Sequence, residues 1–147
     1  GLPGSGLLFP LTMRGGAGGS GVVRTILGVN EERKSMTFAG DIPVGSIVRL
    51  MKANIDRLID GAVGAARASC GTLGTSRSEL ALLISCVGRK MVLQQRVEEE
   101  VEGVSEVLGA ATALTGFYSY GEICPFKTDT VCELHNQTMT ITTLAEG

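Results

Sequence analysis

Tryptophan is absent from this chain, and aromatic residues make up only 4% of it. A core must therefore be packed from aliphatic side chains, which dominate its 44% hydrophobic content. An excess of base is also missing. Thirteen lysines and arginines face 15 aspartates and glutamates, for a formal net charge of −2. A nucleic-acid binder would favour a basic face, so no nucleic-acid partner is expected. No apolar run approaches the ~20 residues that cross a bilayer, so no membrane span is expected. No charged-then-apolar leader is visible. The chain opens Gly1-Leu2-Pro3-Gly4 without methionine, as an excised piece of a longer protein would. Its cysteines, Cys70, Cys86, Cys124 and Cys132, form no CxxC pair. That usage fits reduced thiols in the cytoplasm better than a disulfide framework.

A length of 147 residues suits one domain with a real core. Glycine is plentiful, and a Gly-rich stretch spans 15–21. Gly16, Gly18 and Gly21 formally match GxGxxG. A dinucleotide loop must open a helix, whose N-terminus holds the pyrophosphate. Here Val22-Val23-Arg24-Thr25-Ile26-Leu27 follows, which is β-branched and strand-like. The stretch reads as a flexible surface loop.

Residues 7–11 read as a short strand, placed at an edge by Pro10. Residues 22–29 and 35–38 bracket a polar turn and form a hairpin. A strand over 46–51 leads to a helix capped by Asn54. Ile55, Leu58, Ile59, Ala62, Val63 and Ala66 recur at helical spacing, and Gly71 ends the element. Gly61, Gly64 and Ala65 allow a close neighbour. Residues 79–87 read as a central strand buried on both faces. A second helix covers 94–108, buried through Val97, Val101, Val104 and Leu108. Its glutamates, Glu98, Glu99, Glu100, Glu102 and Glu106, read as a solvated face. Strands over 112–123 and 133–144 close the chain. This order predicts an α+β fold: a largely antiparallel or mixed sheet with two helices packed on one face. The strands before and after the second helix would be parallel if adjacent.

Unusual chemistry gathers near the end. Tyr118 and Tyr120 are the only tyrosines, and His135 is the only histidine. On one continuous strand Tyr118, Tyr120 and Glu122 share a face, framed by Gly116 and Gly121. A strand pairing with 133–144 would bring His135 or Asn136 to the same rim, depending on register. Cys124, Cys132 and His135 lack a fourth ligand at zinc spacing, so no metal is expected. No cofactor motif is present. A Cys–His pair is conceivable, but no G-x-S-x-G and no paired carboxylates accompany it, so no enzyme is expected.

Two of these stretches carry a family resemblance. GFYSYGEICP and ELHNQTMTITTLAE resemble the end of the C-terminal domain of the FIST family (F-box and intracellular signal transduction proteins). Phe38-Ala39-Gly40-Asp41-Ile42-Pro43-Val44-Gly45-Ser46 and Ile84-Ser85-Cys86-Val87-Gly88-Arg89 resemble further blocks of it. The resemblance implies one FIST C-terminal domain over 1–147, without its N-terminal FIST domain. It implies a sensory domain that binds a small ligand, amino acids among the candidates. Its partners would be the N-terminal FIST domain and a signalling output domain or protein.

The residues then sort into a candidate ligand site. Ser85, Cys86 and Arg89 close the buried strand before a helix, where anions collect. Arg89 would grip a carboxylate and Glu122 an ammonium group. Tyr118, Tyr120 and, by register, His135 or Asn136 would line the same cavity. The alternative is a ligand-free interaction or assembly module, with a homodimer among its assemblies.

Overall fold

The structure, a computed structural model, describes residues 4–14, 21–74, 77–125 and 131–146. The proposed loop over 15–21 lies outside them apart from Gly21.

The fold is α+β, built around a three-stranded mixed sheet. Its strands are β6 (Leu80–Cys86), β7 (Ala113–Ser119) and β10 (Met139–Leu144), in the order β10-β6-β7. β6 pairs parallel with β7 and antiparallel with β10. Helices α1 (Ile55–Thr72) and α3 (Val97–Leu108) pack against this sheet. The N-terminal part forms a second sheet, β2-β1-β5, from β1 (Leu11–Met13), β2 (Val22–Arg24) and β5 (Val48–Leu50). Two hairpins complete the fold: β3 (Ile26–Asn30) with β4 (Ser35–Phe38), and β8 (Glu122–Pro125) with β9 (Cys132–His135).

Local rules account for the first helix. Asn54 Oδ1 accepts the Arg57 backbone N–H at 3.0 Å, a side-chain cap on a free donor. Ala62 and Ala66 on its stripe are fully buried against Ala81, Leu83 and Val104. The helix passes Gly71 and ends at Thr72, and the chain turns away at Gly74, whose φ of +64° suits a residue without Cβ. The close approach between helices is made from the other side. A Cβ on Gly103 would sit 2.9 Å from Val63 Cγ2, while Gly64 faces open space.

Several expectations need correction. Pro10 lies just before β1, and β1 is the central strand of its sheet rather than an edge. The second helix begins earlier than its apolar stripe. A short helix α2 (Val87–Leu93) follows β6 directly, and one 3-10 turn at Gln94–Arg96 joins it to α3. Gln94, at φ +53°, breaks the two apart. Glu100 is buried completely, unlike a solvated-face residue, and Val101 is exposed.

The two C-terminal strands are each divided. Residues 112–123 split at Tyr120-Gly121 into β7 and β8, which belong to different sheets. Residues 133–144 split at Asn136-Gln137-Thr138, where Gln137 has φ +55°. The hairpin between them survives only as β8–β9, with Glu122 opposite His135. The crossover from β6 through the helices to β7 is parallel, as the chain order predicts.

Gly116 sets the spacing of the parallel pair. A Cβ there would lie 1.9 Å from the Leu83 carbonyl oxygen across the ladder. Gly116→Ala is expected to cost about 1–3 kcal/mol in urea denaturation, the usual scale of overpacking. Gly64→Ala, with nothing within 4 Å, should instead stabilise α1 by roughly 0.5–1 kcal/mol through helix propensity.

Candidate ligand cleft

The register of β6 and β7 decides which side chains meet. Leu83 pairs with Gly116 and Ser85 with Tyr118, so all four point to the helix side. There a cleft of about 280 Å³ opens between the sheet and α3. Leu83, Val101, Leu114 and Met139 give it an apolar wall. Ser85, Glu100 and Tyr118 give it polar groups at the C-terminal ends of the parallel strands. That end is where ligands settle in parallel sheets.

Behind the cleft sits a buried ion pair. Arg89 Nε donates to Glu100 Oε1 at 2.7 Å, and its NH2 group donates to the same oxygen. NH2 also donates to the Leu58 carbonyl of α1 at 2.6 Å, and NH1 to the Gln137 carbonyl at 3.3 Å. Ser85 Oγ donates to Glu100 Oε2 at 3.3 Å. Arg89 is 3% exposed and Glu100 not at all, so this pair is shielded from solvent. Arg89 was expected to grip a ligand; its donors are instead spent on protein oxygens. The same charges act on Tyr118. Burial raises its phenol pKa, Glu100 raises it further, and Arg89 opposes.

A second cleft, about 260 Å³, lies between the N-terminal segment, the β3–β4 hairpin and α2. Cys86, Tyr120 and Asn136 line it with Leu7, Ile26, Leu27 and Met91. The amide of Asn136 is engaged there. Oδ1 accepts the Thr25 N–H at 3.3 Å, and Nδ2 donates to the His135 carbonyl at 3.2 Å. Burial pushes the Cys86 thiol up, and Glu122 adds to the shift against backbone N–H groups from Gln137, Gly88 and Arg89.

The eight candidate residues therefore divide. Ser85 and Tyr118 share the first cleft; Cys86, Tyr120 and Asn136 share the second. Arg89, Glu122 and His135 line neither. The cavity expected to hold Tyr118, Tyr120 and Glu122 together is not formed, because the chain turns at Tyr120-Gly121 and alternation stops there. Glu122 is buried and accepts from Ser119 Oγ at 2.5 Å and Thr138 Oγ1 at 2.6 Å. His135 is buried with Nε2 3.1 Å from the Cys124 carbonyl, where Nε2 acts as donor. Among the described residues no group of three or more His, Cys, Asp or Glu is placed to hold a metal.

Sequence reasoning missed Glu100, Gln137 and Arg24. Glu100 had a signal: it stands four residues before Val104, on the buried side of α3. Gln137 Nε2 donates to the Leu7 carbonyl at 3.0 Å and Thr25 Oγ1 at 3.2 Å, tying the C-terminal turn to the N-terminal half. Arg24 NH1 donates to the Leu134 carbonyl at 2.8 Å, and Nε to that of Asp41 at 3.0 Å. Gly40 makes room for it, since a Cβ there would lie 2.9 Å from Arg24 Nε.

Removing one member of the buried pair strands the other's charge. Glu100→Ala should cost about 3–5 kcal/mol in urea denaturation. The double variant Arg89→Met/Glu100→Leu should cost far less than the two single losses combined, because no charge is left unpaired. A Glu100→Ala loss well under this range would show that the pair opens to water.

Comparison with known proteins identifies a family. The model of the FIST C domain matches residues 1–125. No curated protein matches, and no solved structure does. The match covers the sheet crossover, the buried pair and both tyrosines, and a FIST C domain is a signal-transduction-associated domain. The chain belongs to the FIST C domain family.

Proposed function

We propose that the protein is a sensory domain that binds a small ligand in the β7–α3 cleft and passes its occupancy to an output partner. The observation that carries this reading is the cleft's placement. It runs along β7 from Leu114 to Tyr118 and reaches the C-terminal end of the parallel pair, apolar on one side, with Tyr118 on the other in front of the buried Ser85 and Glu100. Small-molecule sites combine apolar walls with a few fixed polar groups in this way.

An amino acid remains the leading ligand, held differently from the sequence expectation. Its aliphatic side chain enters between Leu83, Val101, Leu114 and Met139. Its carboxylate stays at the wet mouth, near Lys90, whose Nζ lies 4.9 Å from the Tyr118 ring centroid. Arg89 serves as a positioning residue. Through Glu100 it joins the cleft wall to the Leu58 carbonyl on α1 and the Gln137 carbonyl in the C-terminal turn. Movement of α3 on binding is thereby passed to α1 and to the N-terminal half. The N-terminal FIST domain and a cytoplasmic signalling output are the partners this role calls for.

The reading is non-enzymatic. Burial raises the Cys86 and Cys124 thiols away from the thiolate form a nucleophile needs, and His135 Nε2 faces a carbonyl. No helix of the described residues is long and apolar enough to cross a membrane.

A thermal-shift screen of amino acids and related metabolites tests the reading. A true ligand at a hundred times its Kd should stabilise the fold by about 2.7 kcal/mol, a melting shift of several degrees. Val101→Trp fills the cleft from an exposed position and should abolish that shift. Leu27→Trp, which fills the second cleft, should leave it intact. The reverse pattern would move the site to the second cleft, and no shift with any compound would remove the sensor reading.

A further inference from the structure

Among the described residues, strand β7 has one neighbouring strand. β6 covers one of its edges, and among the described residues no strand covers the other. Ala113 N–H donates to the Glu79 carbonyl at 2.8 Å, so the odd-numbered residues of β7 bond inward to β6. The backbone N–H and C=O groups of Leu114, Gly116 and Tyr118 therefore point out from the free edge. Phe117, on the face away from the helices, is 59% exposed. Open edges are normally blunted by charge, proline or a bulge. Here no charged residue and no proline occurs between Glu106 and Glu122. β7 pairs with β6 in unbroken register from Ala113 to Ser119.

We propose that the occupant is β7 of a second copy, paired antiparallel across a two-fold axis at Gly116. The sequence is self-complementary in that register. Gly116 meets Gly116, Thr115 of one copy meets Phe117 of the other, and Leu114 meets Tyr118. Both faces gain aromatic–aliphatic or aromatic–threonine pairs, the kind that stabilise sheets. Neither strand brings a charge to repel the other. A two-fold contact of this type is closed, so it stops at a dimer. The pairing also doubles the three-stranded sheet and sets the two clefts side by side, since Leu114, Gly116 and Tyr118 line each one. Each cleft gains a wall from the other copy's Leu114 and Tyr118.

Sedimentation and native mass spectrometry of the chain across the micromolar range test this. The expected species has twice the 15.3 kDa mass of one chain. Thr115→Lys with Phe117→Lys sets like charges directly opposite each other, from exposed positions that do not touch the core. It should weaken the dimer by on the order of tenfold or more while the thermal melt stays cooperative. Thr115→Lys with Phe117→Glu sets opposite charges in the same two places and should restore it. A wild-type chain monomeric at every concentration overturns the proposal. So does a larger open assembly, or a Lys/Glu variant as weak as the Lys/Lys one, which would place a different strand or register at this edge.

Discussion

The pair of Arg89 and Glu100 is the constraint around which the rest is arranged. Two charges removed from water cost several kcal/mol each, recovered only when every donor and acceptor finds a partner. Here the partners come from five places: α2 and α3 supply the ions, β6 supplies Ser85, α1 the Leu58 carbonyl and the C-terminal turn the Gln137 carbonyl. An aliphatic seam of Ala62, Ala66, Ala81, Leu83 and Val104 could slide by a turn with modest loss. The ion pair forbids such slips, because each one would leave a buried charge unmet. It fixes the height of α3 over the sheet, and with it the cleft.

The C-terminal turn extends that control to the N-terminal half. His135, Asn136 and Gln137 are all buried, and their side chains bond to backbone or to other buried groups. Asn136 and Gln137 reach Thr25, while Arg24 reaches back to the Leu134 carbonyl. The half that carries the second cleft is thus joined through polar contacts to the half that carries the first. Polar seams of this kind have geometry as well as energy, so a shift on one side has few ways to dissipate.

Much of the fold was legible because periodicity and caps are local. The Asn54 cap, the α1 stripe, the buried β6 run and the parallel crossover all follow from nearest-neighbour rules. The α2 helix was not legible. Its sequence Val87-Gly88-Arg89-Lys90-Met91-Val92-Leu93 is too short for an apolar period to stand out, and Gly88 near its start weakens the helical signal. The breaks at Tyr120-Gly121 and at Gln137 had only single-residue signals, Gly121 and Asn136, inside stretches that otherwise read as continuous strands. Those two breaks decide the site. They separate Tyr118 from Tyr120 and send Glu122 to Ser119 and Thr138. The pairing of Arg89 with Glu100 needs the tertiary fold, because the two lie on different helices either side of a 3-10 turn. The residue types were the right ones to notice; their partners were not readable.

The proposed ligand site is the wall formed by β7 and α3, in front of the buried pair. Methyl-labelled protein titrated with the ligand found by screening tests this directly, through intermolecular nuclear Overhauser effects. The expected result is contacts from the ligand to the methyl groups of Leu83, Val101, Leu114 and Met139, with the Arg89 Nε–H signal still protected from exchange. Contacts to Leu7, Ile26 and Leu27 instead, or loss of that protection on binding, would contradict it.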